Sequence, residues 1–182
     1  MMDNRYDNDR SRALGDRVER FVRETVIPYE TDSRCVPHGP SDELVIELRA
    51  LVRDAGVLTP HILADGEHLP QRETAHVLIR SGLSPLGPLA CNTMAPDEGN
   101  MYLLSKIASE EQKRRFLAPM VRGESRSAIL MTEPAGEGGA GSDPSMMRTM
   151  CRRDGDHWIV DGRKASITGA KGAKVGIVMA KA

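Results

Sequence analysis

The chain has 182 residues, 40% of them hydrophobic and 17 of them glycine, which is enough apolar content for one domain or two small ones. Its formal net charge is −1 and no basic run exceeds Lys113-Arg114-Arg115, which excludes a general nucleic-acid surface, because phosphate binding needs clustered Lys and Arg. No apolar stretch is long enough to span a membrane, and Cys35, Cys91 and Cys151 form no C-x-x-C pair, so a reducing, cytoplasmic setting is expected.

Residues 1–12 are mostly Asp, Asn and Arg, lack the apolar core of a signal peptide, and read as a disordered lead-in. Leu14, Val18, Phe21, Val22 and Val26 then follow helical spacing up to Pro28. Cys35 to Pro40 reads as loop. Ser41 offers an N-cap, and Asp42 and Glu43 occupy the first turn, where the helix dipole favours negative charge. Leu44, Val45, Leu48, Leu51 and Val52 supply the buried stripe of this second helix, which Gly56 ends. A third helix fits Gln71 to Arg80, and Gly82, Pro85, Gly87 and Pro88 impose a loop after it. A fourth runs from about Asp97 to Ala108 and is expected to bury Met101, Leu104, Ile107 and Ala108. Ser109 to Gln112 is a capping box that opens a fifth helix, disturbed at Pro119 and closed by Gly123.

Beyond Gly123 the period changes to two. The candidate strands are Arg126 to Thr132, Met147 to Arg153, His157 to Asp161, Lys164 to Thr168 and Lys174 to Ala180. The expected class is α+β: an N-terminal helical domain of about five helices over 13–124, then an incomplete antiparallel β domain over 125–182.

Between the halves lies Ala128 to Asp143, a short apolar run, a Thr-Glu-Pro break and a glycine-rich loop. Bare amides in such a loop form a concave set of donors suited to a phosphate. Gly136, Gly138 and Gly141 match G-x-G-x-x-G, with Asp161 twenty residues beyond Gly141, as a dinucleotide-binding unit requires. That unit also needs a helix starting in the loop, whereas Pro144 follows at once and Asp154-Gly155-Asp156 signals a hairpin. A P-loop fails because Ser142 stands where lysine is required. A plain flexible linker is the bland alternative. His38, His61, His68, His76 and His157 have no metal-ligand spacing and read as surface or capping residues, so no metal is expected. No serine sits in G-x-S-x-G, and no Cys/His pair stands out as nucleophile and base.

Met131-Thr132-Glu133-Pro134 with Gly-Ser-Asp at 141–143, then Gly162-Arg163-Lys164 and Ile167-Thr168, resembles the acyl-CoA dehydrogenase family. Ala95 to Met101 and the segment from Gln112 to Pro119 look like the branch acting on longer acyl chains, and the resemblance covers roughly residues 14 to 182. It implies an FAD enzyme that takes a proton from the acyl α-carbon and passes hydride from the β-carbon to flavin N5. By match, Met131 and Thr132 would meet the pyrimidine side of the flavin. Ser166-Ile167-Thr168 would approach its ring, with Thr168 near N5. Gly141 and Ser142 would hold the pyrophosphate, and Ser142 would border the acyl-CoA thioester. The sequence departs from the family in a longer loop over Ala135 to Ala140, in Ser166 where tryptophan is common, and in Ile129 where an aromatic is frequent. The chain stops at Ala182, inside what the family would make the middle β domain. The expected reading is therefore an N-terminal fragment or one half of a split enzyme, without its catalytic carboxylate and inactive alone. An electron-transfer partner, and either a complementary C-terminal half or a homo-oligomer, are the implied partners. A non-catalytic binding module is the alternative.

Overall fold

The computed structural model describes residues 9–37, 39–63, 66–136 and 139–182. It divides into two compact units, one running through Glu124 and one over Ser125–Ala182. The helical unit contains α1 (Asp9–Phe21), α2 (Asp42–Asp54), α3 (Gln71–Ser81), the single turn α4 (Gly87–Ala90), α5 (Asp97–Ile107), α6 (Glu110–Gln112) and α7 (Ala118–Val121). A two-residue hairpin, β1 (Cys35–Val36) with β2 (Gly39–Pro40), precedes α2. Helix α1 begins at Asp9 and buries Ser11, so four residues read as lead-in are helical; the rest of that stretch, 1–8, lies outside the described residues.

Two prolines shape this unit in the same way. Pro28 follows a π turn at Val22–Val26, closed by Ile27 N–H to Val22 O, and Pro119 follows another at Lys113–Leu117, closed by Ala118 N–H to Lys113 O. A proline ring clashes with the carbonyl four residues back, and widening the turn before it relieves the clash without ending the helical path. After Pro28 the chain continues as a 3₁₀ turn through Thr31.

The caps form as the sequence suggests. Ser41 Oγ accepts from Leu44 N–H at 3.2 Å, and Ser109 and Gln112 close both bonds of the capping box. Val18, Val22, Val26, Leu44, Leu48, Val52 and Val77 are fully buried in one core, each contributing roughly 1.5–3 kcal/mol of burial. Ile107, expected inside, is 72% exposed: it is the last residue of α5, where Met101 alone of the expected stripe is fully buried. The loop expected after α3 contains the turn α4.

The last carbonyls of helix α7, and that of Gly123 in the turn after it, are met by side chains. Asn92 Nδ2 donates to Met120 O at 2.8 Å, Thr59 Oγ1 to Val121 O at 2.6 Å and Arg49 Nη1 to Gly123 O at 2.7 Å. Thr59 and Asn92 hold φ of 48° and 58° to do so. No helix among the described residues is long and apolar enough to cross a membrane.

The second unit contains β3 (Ser127–Leu130), β4 (Met150–Asp154), β5 (His157–Asp161) and β6 (Val175–Val178). β4 and β5 form an antiparallel hairpin in register Met150↔Asp161, and β3 pairs with β6 in parallel, Ser127↔Val175. A parallel pair needs a long connection, and here that connection holds the glycine loop and the whole β4–β5 hairpin. The α+β order stands, with this one parallel pairing within it. The loop leads into a 3₁₀ turn, Pro144–Met146, and then β4, so there is no crossover helix for a dinucleotide fold. Lys164 to Thr168, expected as a strand, is irregular: Ala165 N–H goes to Thr132 O at 3.0 Å, and Ser166 sits at φ 56°.

Candidate functional site

The site grows from the end of β3. Thr132 is tied to Ala165 twice, its carbonyl accepting from Ala165 N–H and its hydroxyl donating to Ala165 O at 2.5 Å. Glu133 N–H donates to Gly141 O at 3.0 Å. These main-chain bonds bring three separate segments to one place: Met131 and Thr132, Gly141 and Ser142, and the chain leading into Ser166, Ile167 and Thr168. Met131, Thr132, Gly141 and Ile167 are half-buried, whereas Ser142, Ser166 and Thr168 are exposed.

The Thr132 hydroxyl has one proton and gives it to Ala165. Toward a ligand it therefore presents lone pairs, and donation from this segment falls to main-chain amides. In the loop, a side chain at Gly139 would run into Pro134 O, so the fold requires glycine there for close approach of the backbone. Asp143, the last residue of Gly-Ser-Asp, caps the 3₁₀ turn: its Oδ1 accepts from Ser145 N–H at 2.9 Å and Ser145 Oγ at 2.7 Å, and those bonds lower its pKa. Glu137 and Gly138, one of them in the G-x-G-x-x-G match, lie outside the described residues.

Glu133 is the centre of the site, although the motif gives no hint of how it is used. It is 6% exposed and accepts from Arg148 N–H at 2.9 Å, Thr149 N–H at 2.8 Å, Thr149 Oγ1 at 2.7 Å and Lys164 Nζ at 3.2 Å. The Thr149 hydroxyl is the largest of the influences that push its carboxyl down to about 2, with the two amides and Lys164 adding to it against the cost of burial. Lys164 Nζ also caps Met131 O at 3.0 Å. Two amides expected in a strand starting at Met147 are thus committed to a carboxylate, which is why β4 starts only at Met150. Gly162 completes the packing, since a side chain there would collide with Thr149. Thr-Glu-Pro and Gly-x-Lys are in this way the two halves of one buried ion pair.

The helical unit holds a second polar cluster. His61 and His68 are buried, 0% and 8% exposed, contrary to their reading as surface or capping residues. Their ligand atoms and a carboxylate oxygen of Glu98 lie within 4.8 Å of one another. Burial, and then neighbouring His68, push the His61 pKa down to about 4. Spacing rules miss this cluster because Glu98 comes 30 residues after His68, from α5, whereas the histidines lie in the loop before α3.

Residues 8–124 match the profile of the acyl-CoA dehydrogenase N-terminal domain, and residues 128–182 match that of the middle domain. FadE2 of Mycobacterium tuberculosis, assigned as an acyl-CoA dehydrogenase, is 33% identical over 174 residues, which cover 91% of this chain and 42% of that protein. A structure from Mycobacterium abscessus, also assigned as an acyl-CoA dehydrogenase, superposes with a TM-score of 0.77 at 31% identity, over 95% of this chain and 46% of that one. Glutaryl-CoA dehydrogenase of Mycobacterium smegmatis, solved with FADH2, superposes with a TM-score of 0.66 at 26% identity, over 98% of this chain and 44% of that one. The chain thus spans less than half the length of each of these relatives.

Proposed function

The chain belongs to the acyl-CoA dehydrogenase family, and from that premise we propose that it is the flavin-holding part of an enzyme that introduces an α,β double bond into an acyl-CoA thioester. The observation that carries this reading is the convergence of 131–132, 141–142 and the chain entering 166–168 through the Thr132–Ala165 and Glu133–Gly141 bonds. The residues suit FAD, the cofactor that the M. smegmatis relative holds in reduced form. When bound, FAD supplies the hydride acceptor.

The chain's own residues position and polarise. The amides of Met131 and Thr132 face the pyrimidine side of the flavin, where preorganised donors stabilise negative charge better than mobile water does. Lys164 is held by Glu133 and by Met131 O, so it fixes the strand end rather than meeting the ring. Gly141 and Ser142 offer amides and a hydroxyl to the diphosphate, and Ser142 also borders the thioester. Thr168 brings a hydroxyl toward N5, with Ser166 and Ile167 beside the ring. The family's proton-abstracting carboxylate belongs to the C-terminal bundle, so residues 1–182 by themselves bind flavin without turnover, since α-proton removal needs a positioned base. The setting is cytoplasmic fatty acid oxidation, with an electron-transfer protein, a complementary C-terminal half and a second copy as partners.

Titration with FAD, followed by flavin fluorescence, tests the reading. Quenching is expected, weaker in Ser142→Ala and Thr168→Val. Bleaching by acyl-CoA is expected only when a family C-terminal bundle is supplied. Absence of flavin binding, or binding indifferent to both substitutions, would overturn it.

A further inference from the structure

The cluster in the helical unit has no part in the flavin reading and sits in the other unit. Both ring nitrogens of His61 are buried with no hydrogen-bond partner among the described residues. A neutral imidazole has one donor and one acceptor to satisfy, so a wholly unmet buried ring calls for water or an ion beside it. His68 is in the opposite condition. Its Nδ1 lies 2.6 Å from Leu69 O, and because a carbonyl can only accept, Nδ1 carries the proton. The other nitrogen, Nε2, is then left pointing at Glu98 Oε1, 3.2 Å away.

A histidine whose one nitrogen is tied to a backbone carbonyl while the other faces a carboxylate has the arrangement typical of a metal ligand. Bonds of about 2.0–2.1 Å at a tetrahedral angle place two ligand atoms about 3.3 Å apart, close to the His68–Glu98 separation. The protein also holds these groups still. Leu69 N–H donates to His61 O at 2.8 Å, an Ile62–His68 bridge fixes the loop, and the Tyr102 ring packs edge-on against His68 at 4.9 Å. His68 also lines a cavity of about 700 Å³.

We propose that His61, His68 and Glu98 form a site for a first-row divalent cation of the zinc type, with water in the remaining position. Two imidazoles and a carboxylate are a zinc-type donor set, and imidazole suits this class of metal. The rival arrangement, an imidazolium–carboxylate bond between His68 and Glu98, leaves both nitrogens of His61 without a role, whereas the cation engages all three groups. The widest gap, within 4.8 Å, closes by up to about 1.5 Å when the His61 ring swings onto the ion.

The test is calorimetric titration of the chelator-treated chain with Zn²⁺, run beside Co²⁺ followed by its visible absorption. One ion per chain is expected, with an intense cobalt band of low coordination number and a rise in the thermal midpoint of the helical unit. His61→Ala and Glu98→Gln should each weaken binding by more than about tenfold, which is at least the loss seen on removing an outer partner of a metal-bound histidine. His157→Ala, on an exposed strand, should change nothing. If His61→Ala fails to fold, the near-isosteric Glu98→Gln decides alone. Absence of binding, or binding that survives Glu98→Gln undiminished, overturns the site.

Discussion

The two units are held together by different forces. In the helical unit Val18, Val22, Val26, Leu44, Leu48, Val52 and Val77 are all fully buried, and its stability comes from apolar surface removed from water. Among the described residues of the β unit the buried side chains are Ser125, Ser127, Glu133 and Thr149 beside only Ala128 and Met147, while Trp158, Val160 and Val178 are 62%, 51% and 46% exposed. Its order comes from specific polar bonds around one carboxylate. The first unit should respond to lost volume. The second should tolerate changes at exposed apolar positions and fail when a bond in its network is cut.

The largest effect expected is that of Glu133→Ala. It leaves Arg148 N–H, Thr149 N–H, Thr149 Oγ1 and Lys164 Nζ without their acceptor, and an unpaired buried ammonium is far worse than the pair was good. Hydrogen exchange should show protection lost across 148–165 and kept in α1 to α3. Lys164→Met should be much milder, because the carboxylate keeps its three other donors. Loss of protection in both units alike would erase the contrast.

Next is Leu48→Ala, a fully buried truncation that should cost about 2–5 kcal/mol in denaturant unfolding followed by helical signal. Exchange in the β4–β5 hairpin should not change. Arg49→Met tests the polar exception within the same unit. It removes the donor to Gly123 O and should cost roughly 3 kcal/mol, the scale of a charged hydrogen bond.

Acid should reach the two units through different groups: the ion-paired Asp32 and the buried His61 in the helical unit, and Glu133 in the β unit. The Glu133 carboxyl is lowered from 4.5 to about 2 in the folded protein, so its contribution is fully present above 4.5 and is lost as pH falls toward 2. The β unit should therefore lose stability progressively over that window, and Glu133→Gln should weaken the dependence, leaving the smaller part that Asp143 contributes.

The same contrast explains what could be read beforehand. Helical spacing and the caps at Ser41 and Ser109 are local, and they appear where expected. Thr59 at φ 48° was invisible, because a β-branched residue takes that conformation only when tertiary bonds, here to Val121 O, hold it there. In the β unit the motif residues were visible as letters, but not their work. Glu133 reads as part of a loop for a ligand, whereas its carboxylate is an interior acceptor that takes two amides away from the start of β4. The predicted strand at 164–168 failed for a related reason, since an Ala165 bond to Thr132 replaces a ladder. The His61, His68 and Glu98 grouping could not be found by spacing, because two elements supply it.

The smallest expected effect is at Ser166. Its left-handed backbone costs an L-residue about 1–2 kcal/mol, and the side chain is exposed, so no packing repays it. Ser166→Gly relieves that strain but adds about 0.4–1 kcal/mol of chain entropy to lose on folding, leaving a net gain between about 0 and 1.6 kcal/mol. Ser166→Val should instead destabilise, since a branched side chain fits this conformation worst. The informative measurement is FAD affinity of the glycine variant set against its stability. A more stable chain that binds flavin less well means that the strained turn aims Ile167 and Thr168, and that the β unit's polar order is built for a ligand. A more stable chain with unchanged affinity means that the strain is incidental, and that Thr132 and the loop at Gly141 set the site without it.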